Sequence, residues 1–191
     1  MARLKLFTGV NLGSALRSNA AVLQQKLAAC GANVKWVETD NLHVTINFLG
    51  EVEDRDLHGI CRVLANVGKT ESPFRLGLSG VGAFPTTRRP KVVWAGITDG
   101  ADSLARIHAA SEPRLLEMGV YRREERGYTP HLTLGRTKDE ADGQLIANEL
   151  PKFAEWHGGD CYVEELLLFT SELRREGPVY SVAARSRLSG G

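Results

Sequence analysis

A four-residue pattern occurs twice in this chain, as His43-Val44-Thr45-Ile46 and as His131-Leu132-Thr133-Leu134. Both copies have the form His, apolar, Thr, apolar. Successive side chains on a β-strand point to opposite faces, so residues two apart share a face. His43 and Thr45 are then expected on one face, with Val44 and Ile46 turned into a core. His131 and Thr133 repeat the arrangement, with Leu132 and Leu134 buried. Each copy presents an imidazole beside a hydroxyl on a rigid, apolar-backed strand. The chain has 5 His and 11 Thr and is 42% hydrophobic, so chance yields only about 0.05 such tetrads. One copy alone would read as an ordinary strand with a surface histidine. Two copies point to a paired site.

The rest of the chain fits an alternation of strands and helices. Arg3 to Val10 alternates charged and apolar residues as a strand, and Ser14 is a candidate N-cap. Leu16, Ala20, Leu23 and Leu27 fall at helical spacing within 15–30, with Gly31 as the stop. Short strands are expected at 34–37 and 42–50, a helix at 54–67, and strands at 74–81 and 91–97. The second half repeats this rhythm. It has a helix over 102–118 that Pro113 should kink or split, a charged connector at 122–126, the second tetrad strand, and a helix over 139–150. Two final strands are expected at 161–170 and 179–187, and 189–191 reads as a disordered tail.

At 191 residues the chain suits one domain, or two small lobes sharing a core. The net charge of +1 gives no global field for a polyanion, so any attraction to phosphate must be local. Cys30, Cys61 and Cys161 are odd in number and widely spaced. That pattern suits neither a disulfide framework nor a zinc knuckle, and it fits a reducing cytoplasm. No apolar run is long enough to cross a bilayer, and the N-terminal stretch lacks the form of a signal peptide. The expected fold is α+β and bilobal. Two antiparallel sheets face each other across a central cleft, helices lie outside, and a pseudo-two-fold duplication relates the halves.

Two histidines across a cleft can divide acid and base work, one protonated and one neutral, because the unperturbed imidazole titrates near neutral pH. Two hydroxyls beside them can donate hydrogen bonds to developing negative charge. There is no Ser-centred elbow, no Cys-centred nucleophile motif and no Walker-type loop. His58 and His108 lie in helical patterns and His157 in a Gly-rich loop, and all three read as surface or structural. Phe48 shares the parity of Val44 and Ile46 and reads as core. The segment from Phe84 through Arg88, Arg89 and Lys91 fits either a solvated hairpin loop or a base-stacking and phosphate-binding loop.

Leu42 to Gly50 reads LHVTINFLG; Gly82-Ala83-Phe84-Pro85, Val92-Val93-Trp94-Ala95-Gly96 and Thr129-Pro130-His131-Leu132-Thr133-Leu134-Gly135-Arg136 follow in order. These segments resemble the two-histidine (2H) phosphoesterase superfamily, and within it the RNA 2′,3′-cyclic phosphodiesterases first named 2′–5′ RNA ligases. The resemblance covers nearly the whole chain. Gly135 stands where Ala is more usual, which leaves the chemistry untouched. The resemblance implies a bilobal α+β fold and hydrolysis of RNA 2′,3′-cyclic phosphate ends, or of cyclic nucleotides, to 2′-phosphates. It implies His43 as proton donor to the leaving 3′ oxygen, His131 as the base for water, and Thr45, Thr133 and Arg136 as phosphate ligands. It implies no cofactor and no metal, and a cytoplasmic monomer. The two tetrads alone, being nearly symmetric, leave the acid and base roles open.

Three other readings stand beside it. The same site fits a 2′–5′ RNA ligase or 2′–5′ phosphodiesterase. A non-catalytic RNA-end-binding module fits the fold, although binding alone would not need two titratable groups. A metallohydrolase is disfavoured because neither tetrad carries a carboxylate or a third His at ligand spacing.

Overall fold

The computed structural model describes residues 3–123, 127–175 and 177–190. Among them the order is β1 (Arg3–Asn11), α1 (Ser14–Ala28), β2 (Val34–Trp36), β3 (His43–Glu53), α2 (Leu57–Thr70), β4 (Phe74–Thr86) and β5 (Arg89–Ile97). There follow α3 (Ala101–Glu117), β6 (His131–Thr137), α4 (Glu140–Glu149), β7 (His157–Val163), β8 (Glu165–Arg174) and β9 (Gly177–Arg187). The class is α+β, with every strand pair antiparallel.

The strands run in the order β7-β4-β5-β6-β3-β1-β8-β9, and β2 pairs with β6. The two expected half-sheets are therefore joined edge to edge. Their junction is a single register pair, Val44 with Leu132, between the two tetrad strands. Helices α2 and α3 cover the half that contains β3, β8 and β9, while α1 and α4 lie against β5, β6 and β7. The buried faces of both halves merge into one apolar core running from Leu6 and Val10 through Val44 and Leu132 to Leu76 and Ile146.

Several local expectations change. Residues 161–170 do not form one strand. The chain leaves β7 at Val163 and enters β8 at Glu165, and those strands pair with β4 and β1 in opposite halves. The local mark of the break is the polar pair Glu164-Glu165 between Val163 and the apolar run that starts at Leu166, and it does not say which partner strand each side takes. Only a strongly curled sheet allows Glu164 alone to bridge strands so far apart in the strand order. Helix α3 runs unbroken through Pro113. Gly13, not Ser14, holds the cap position of α1, whereas Asp139 caps α4 by accepting from the Asp142 amide at 3.0 Å. Ser189 and Gly190 are not a loose tail. Their amides bond Gly68 O at 2.8 Å and Glu71 O at 3.1 Å. Of the charged connector at 122–126, residues 124–126 lie outside the described residues.

Candidate active site

In both tetrads the strand alternation holds. Val44, Ile46, Leu132 and Leu134 are buried, and His43, Thr45, His131 and Thr133 are partly exposed. Directly paired residues in a sheet share a face. Since Val44 pairs with Leu132 on the core side, both histidines and both threonines lie together on the opposite side. The strands run antiparallel through this pair, so the tetrads point in opposite directions about a local two-fold axis.

Each imidazole is held the same way. His43 Nδ1–H donates to Asn41 O at 2.6 Å, and His131 Nδ1–H donates to Thr129 O at 2.7 Å. A carbonyl only accepts, so Nδ1 carries the proton in both neutral rings and Nε2 carries the lone pair. His43 Nε2 lies 3.0 Å from Thr45 Oγ1. In neutral His43 the hydroxyl donates to it. Aromatic rings wall both sites. Phe7 at 4.6 Å, Tyr180 at 5.1 Å and Phe169 at 5.7 Å surround His43, while Phe84 at 4.9 Å and Trp94 at 6.2 Å flank His131. Burial among these rings holds the His43 pKa below its ordinary 6.5; the Asn41 carbonyl opposes this and the nearby His131 adds to it.

A bulge follows each tetrad. Thr45 and Asn47 pair with Gly9 and Thr8, which leaves Ile46 unpaired. Thr133 and Gly135 pair with Trp94 and Val93, which leaves Leu134 unpaired. An extra residue reverses the faces of the residues after it, as far as the next bulge. Arg136 is thereby turned onto the side of His131 and Thr133, where its charge lowers a Tyr180 phenol that burial raises. Phe48, at the equivalent position of the first tetrad, is turned out as well. It is 50% exposed, with Lys5 Nζ 5.9 Å from its ring centre, so its expected place in the core is not borne out.

A family model described as "LigT like Phosphoesterase" matches residues 11–94 and 96–180. The chain belongs to the LigT-like phosphoesterase family. It is 32% identical over 179 residues to an RNA 2′,3′-cyclic phosphodiesterase of Methanothermobacter thermautotrophicus, covering 94% of this chain and 96% of the relative. It is 36% identical over 160 residues to one of Aeropyrum pernix, covering 84% and 89%. Among solved structures, TT0787 of Thermus thermophilus superposes with a TM-score of 0.82 at 28% identity, covering 97% of this chain and 98% of that one. Escherichia coli LigT complexed with 3′-AMP superposes with a TM-score of 0.78 at 22% identity, covering 98% and 99%, and shares the fold.

Within this LigT-like site the sequence reading missed Asn41, Thr129, Phe7, Phe169 and Tyr180. The carbonyls two residues before each histidine were findable, because any imidazole on a strand can bond the i−2 carbonyl. The aromatic wall on β1, β8 and β9 carried no local signal. The other histidines sit elsewhere. His58 is exposed on α2, His157 Nδ1 lies 3.2 Å from Ser79 Oγ, and His108 stacks on Tyr128. In the 84–91 segment Phe84 turns to His131, while Thr86 to Arg89 forms an exposed hairpin end.

The lowered His43 pKa also bears on stability. The native state binds this proton less readily than the unfolded chain, so the contribution of His43 is complete above about pH 6.5 and falls as pH drops below it. Urea midpoints of wild type and His43→Gln, compared from pH 8 to 5, are expected to converge or cross as the pH falls below 6.5. Parallel curves would remove this assignment.

Proposed function

We propose that this LigT-like protein opens 2′,3′-cyclic phosphate ends of RNA to 2′-phosphates by two-histidine acid–base catalysis. The observation that carries the reading is the quartet of His43, Thr45, His131 and Thr133 on one face around the Val44–Leu132 pair. The names of the relatives in Methanothermobacter and Aeropyrum support the substrate class. His131 Nε2 takes a proton from water as the water oxygen bonds phosphorus. The P–O3′ bond breaks, and His43 Nε2–H gives its proton to the leaving O3′. Thr45, Thr133 and Arg136 donate to the non-bridging oxygens, where charge accumulates. His43 is neutral in most of the free protein near neutral pH. Its donor role thus relies on bound phosphate drawing the proton onto it.

The same reading takes the chain as a monomer acting in a reducing cytoplasm, with Cys30, Cys61 and Cys161 as free thiols. No helix among the described residues is long and apolar enough to cross a membrane. No group of three or more His, Cys, Asp or Glu among them is placed to hold a metal ion. The test is incubation with a nucleoside 2′,3′-cyclic phosphate across a pH series, with and without chelator. The expected product is the 2′-phosphate, formed at the same rate in chelator. The kcat/KM profile should be bell-shaped, with the acid limb below 6.5 because burial depresses His43. A 3′-phosphate product, a flat profile or loss of rate with chelator would overturn this mechanism, and an inert protein would favour the RNA-end-binding module.

A further inference from the structure

Among the described residues the two half-sites meet at only one backbone pair, yet their separation must be fixed to a fraction of an ångström for paired proton transfer. Something beside that pair has to hold the junction. Tyr128 stands there. It lies three residues before His131, in the irregular segment that leads into β6, and its hydroxyl donates to Thr45 O at 3.0 Å. The next residue, Thr129, supplies the carbonyl that holds His131 Nδ1. One short segment therefore grips the backbone of the first tetrad and the imidazole of the second.

The ring of Tyr128 is itself held from behind. It stacks parallel on His108 of α3, with centroids 4.4 Å apart and planes at 1°. His108 Nε2 in turn lies 3.3 Å from the Tyr121 hydroxyl. Burial raises the Tyr128 phenol far above its ordinary range, so it stays a neutral donor. A side chain that only filled space would need neither a strand carbonyl in reach nor a stacked partner.

We propose that Tyr128 is a positioning residue that sets the distance between the two histidine half-sites by tying the approach to His131 onto the Thr45 backbone. The proposal rests on the phosphodiesterase reading above. Tyr128 touches no substrate and acts through Thr45 and His131. Tyr128→Phe keeps the ring and its stack and removes only the hydrogen bond.

The experiment measures cyclic-nucleotide turnover and thermal unfolding for wild type, Tyr128→Phe, His131→Ala and the double variant. Tyr128→Phe is expected to lower kcat about tenfold, with KM within about twofold and Tm lowered by no more than a few degrees, since misplacing reacting groups costs rate more than binding. In the His131→Ala background the same change should lower the residual kcat less than about twofold, because with one histidine gone the distance between the half-sites no longer limits the rate. An unchanged kcat in Tyr128→Phe overturns the proposal. So does a loss confined to KM, or an equal fold-loss in both backgrounds, which would mark independent structural damage. An inert wild type would overturn the phosphodiesterase reading and this proposal together. An active wild type with an unaffected Tyr128→Phe would overturn this proposal alone.

Discussion

His43→Ala and His131→Ala are each expected to lower kcat/KM on a 2′,3′-cyclic nucleotide by about 10²–10⁴-fold, the usual contribution of a general acid or base. The fold should survive, because the apolar alternates Val44, Ile46, Leu132 and Leu134 make the core contacts while both histidines line the open side. The two replacements differ in one respect. His43 sits among Phe7, Phe169 and Tyr180, so alanine there also leaves a hole that His43→Gln largely fills. His131 has Phe84 and Trp94 for neighbours and Leu132 beside it, and its loss should disturb packing less. In the proposed mechanism the pair works as a unit, so the double variant should be little slower than either single one. Near-wild-type turnover in either single variant would remove that histidine from the reaction. A double variant slower by the product of both losses would mean that the two act independently.

The second large effect is expected at a residue that takes no part in the chemistry. A Cβ added at Gly9 would lie 2.5 Å from Val44 O and 3.4 Å from Val44 C, both backbone atoms of the first tetrad strand. Gly9 pairs with Thr45 next to the Ile46 bulge. Backbone of a paired strand cannot swing aside, so Gly9→Ala must force the strands apart beneath His43 and Thr45. Overpacking of this kind typically costs about 1–3 kcal/mol of stability, and a displacement approaching 1 Å at the site can cost about 10²-fold in rate. Gly59→Ala serves as the control. There the new methyl meets only the end of the Met118 side chain, at 2.6 Å from Cε, which can rotate away. Its helical position in α2 favours alanine over glycine by roughly 1 kcal/mol. Urea unfolding and turnover of both variants decide the matter. Equal stability of Gly9→Ala and wild type would show that the sheet can open at this point without cost.

Much of this was legible in the residues. Each tetrad needs only the two-residue period of a strand to place imidazole and hydroxyl on one face and aliphatic side chains on the other, and it does so at both sites. Helices α1 to α4 were legible for the same reason, since their apolar spacing is a property of a few consecutive turns. Phe48 shows where that reasoning stops. Its parity with Ile46 points inward, but pairing with β1 leaves Ile46 as an extra residue, so Asn47 turns in and Phe48 out until a second extra residue, Leu49, restores the original parity and buries Val52. Leu134 does the same as Ile46, ahead of Arg136, and there the reversal brings a guanidinium to the site.

The sequence by itself determined that His43 with Thr45 and His131 with Thr133 share the open face of their strands, because that follows from neighbours two positions away. The tertiary structure alone decided that the two tetrads cross at Val44 and Leu132, that bulges turn Arg136 and Phe48 outward, and that Tyr180 and Phe169 close around His43. It also decided that the chain changes half-sheets at Glu164. Each of these depends on the partner a strand finds far along the chain, and a periodic pattern holds no record of its partner.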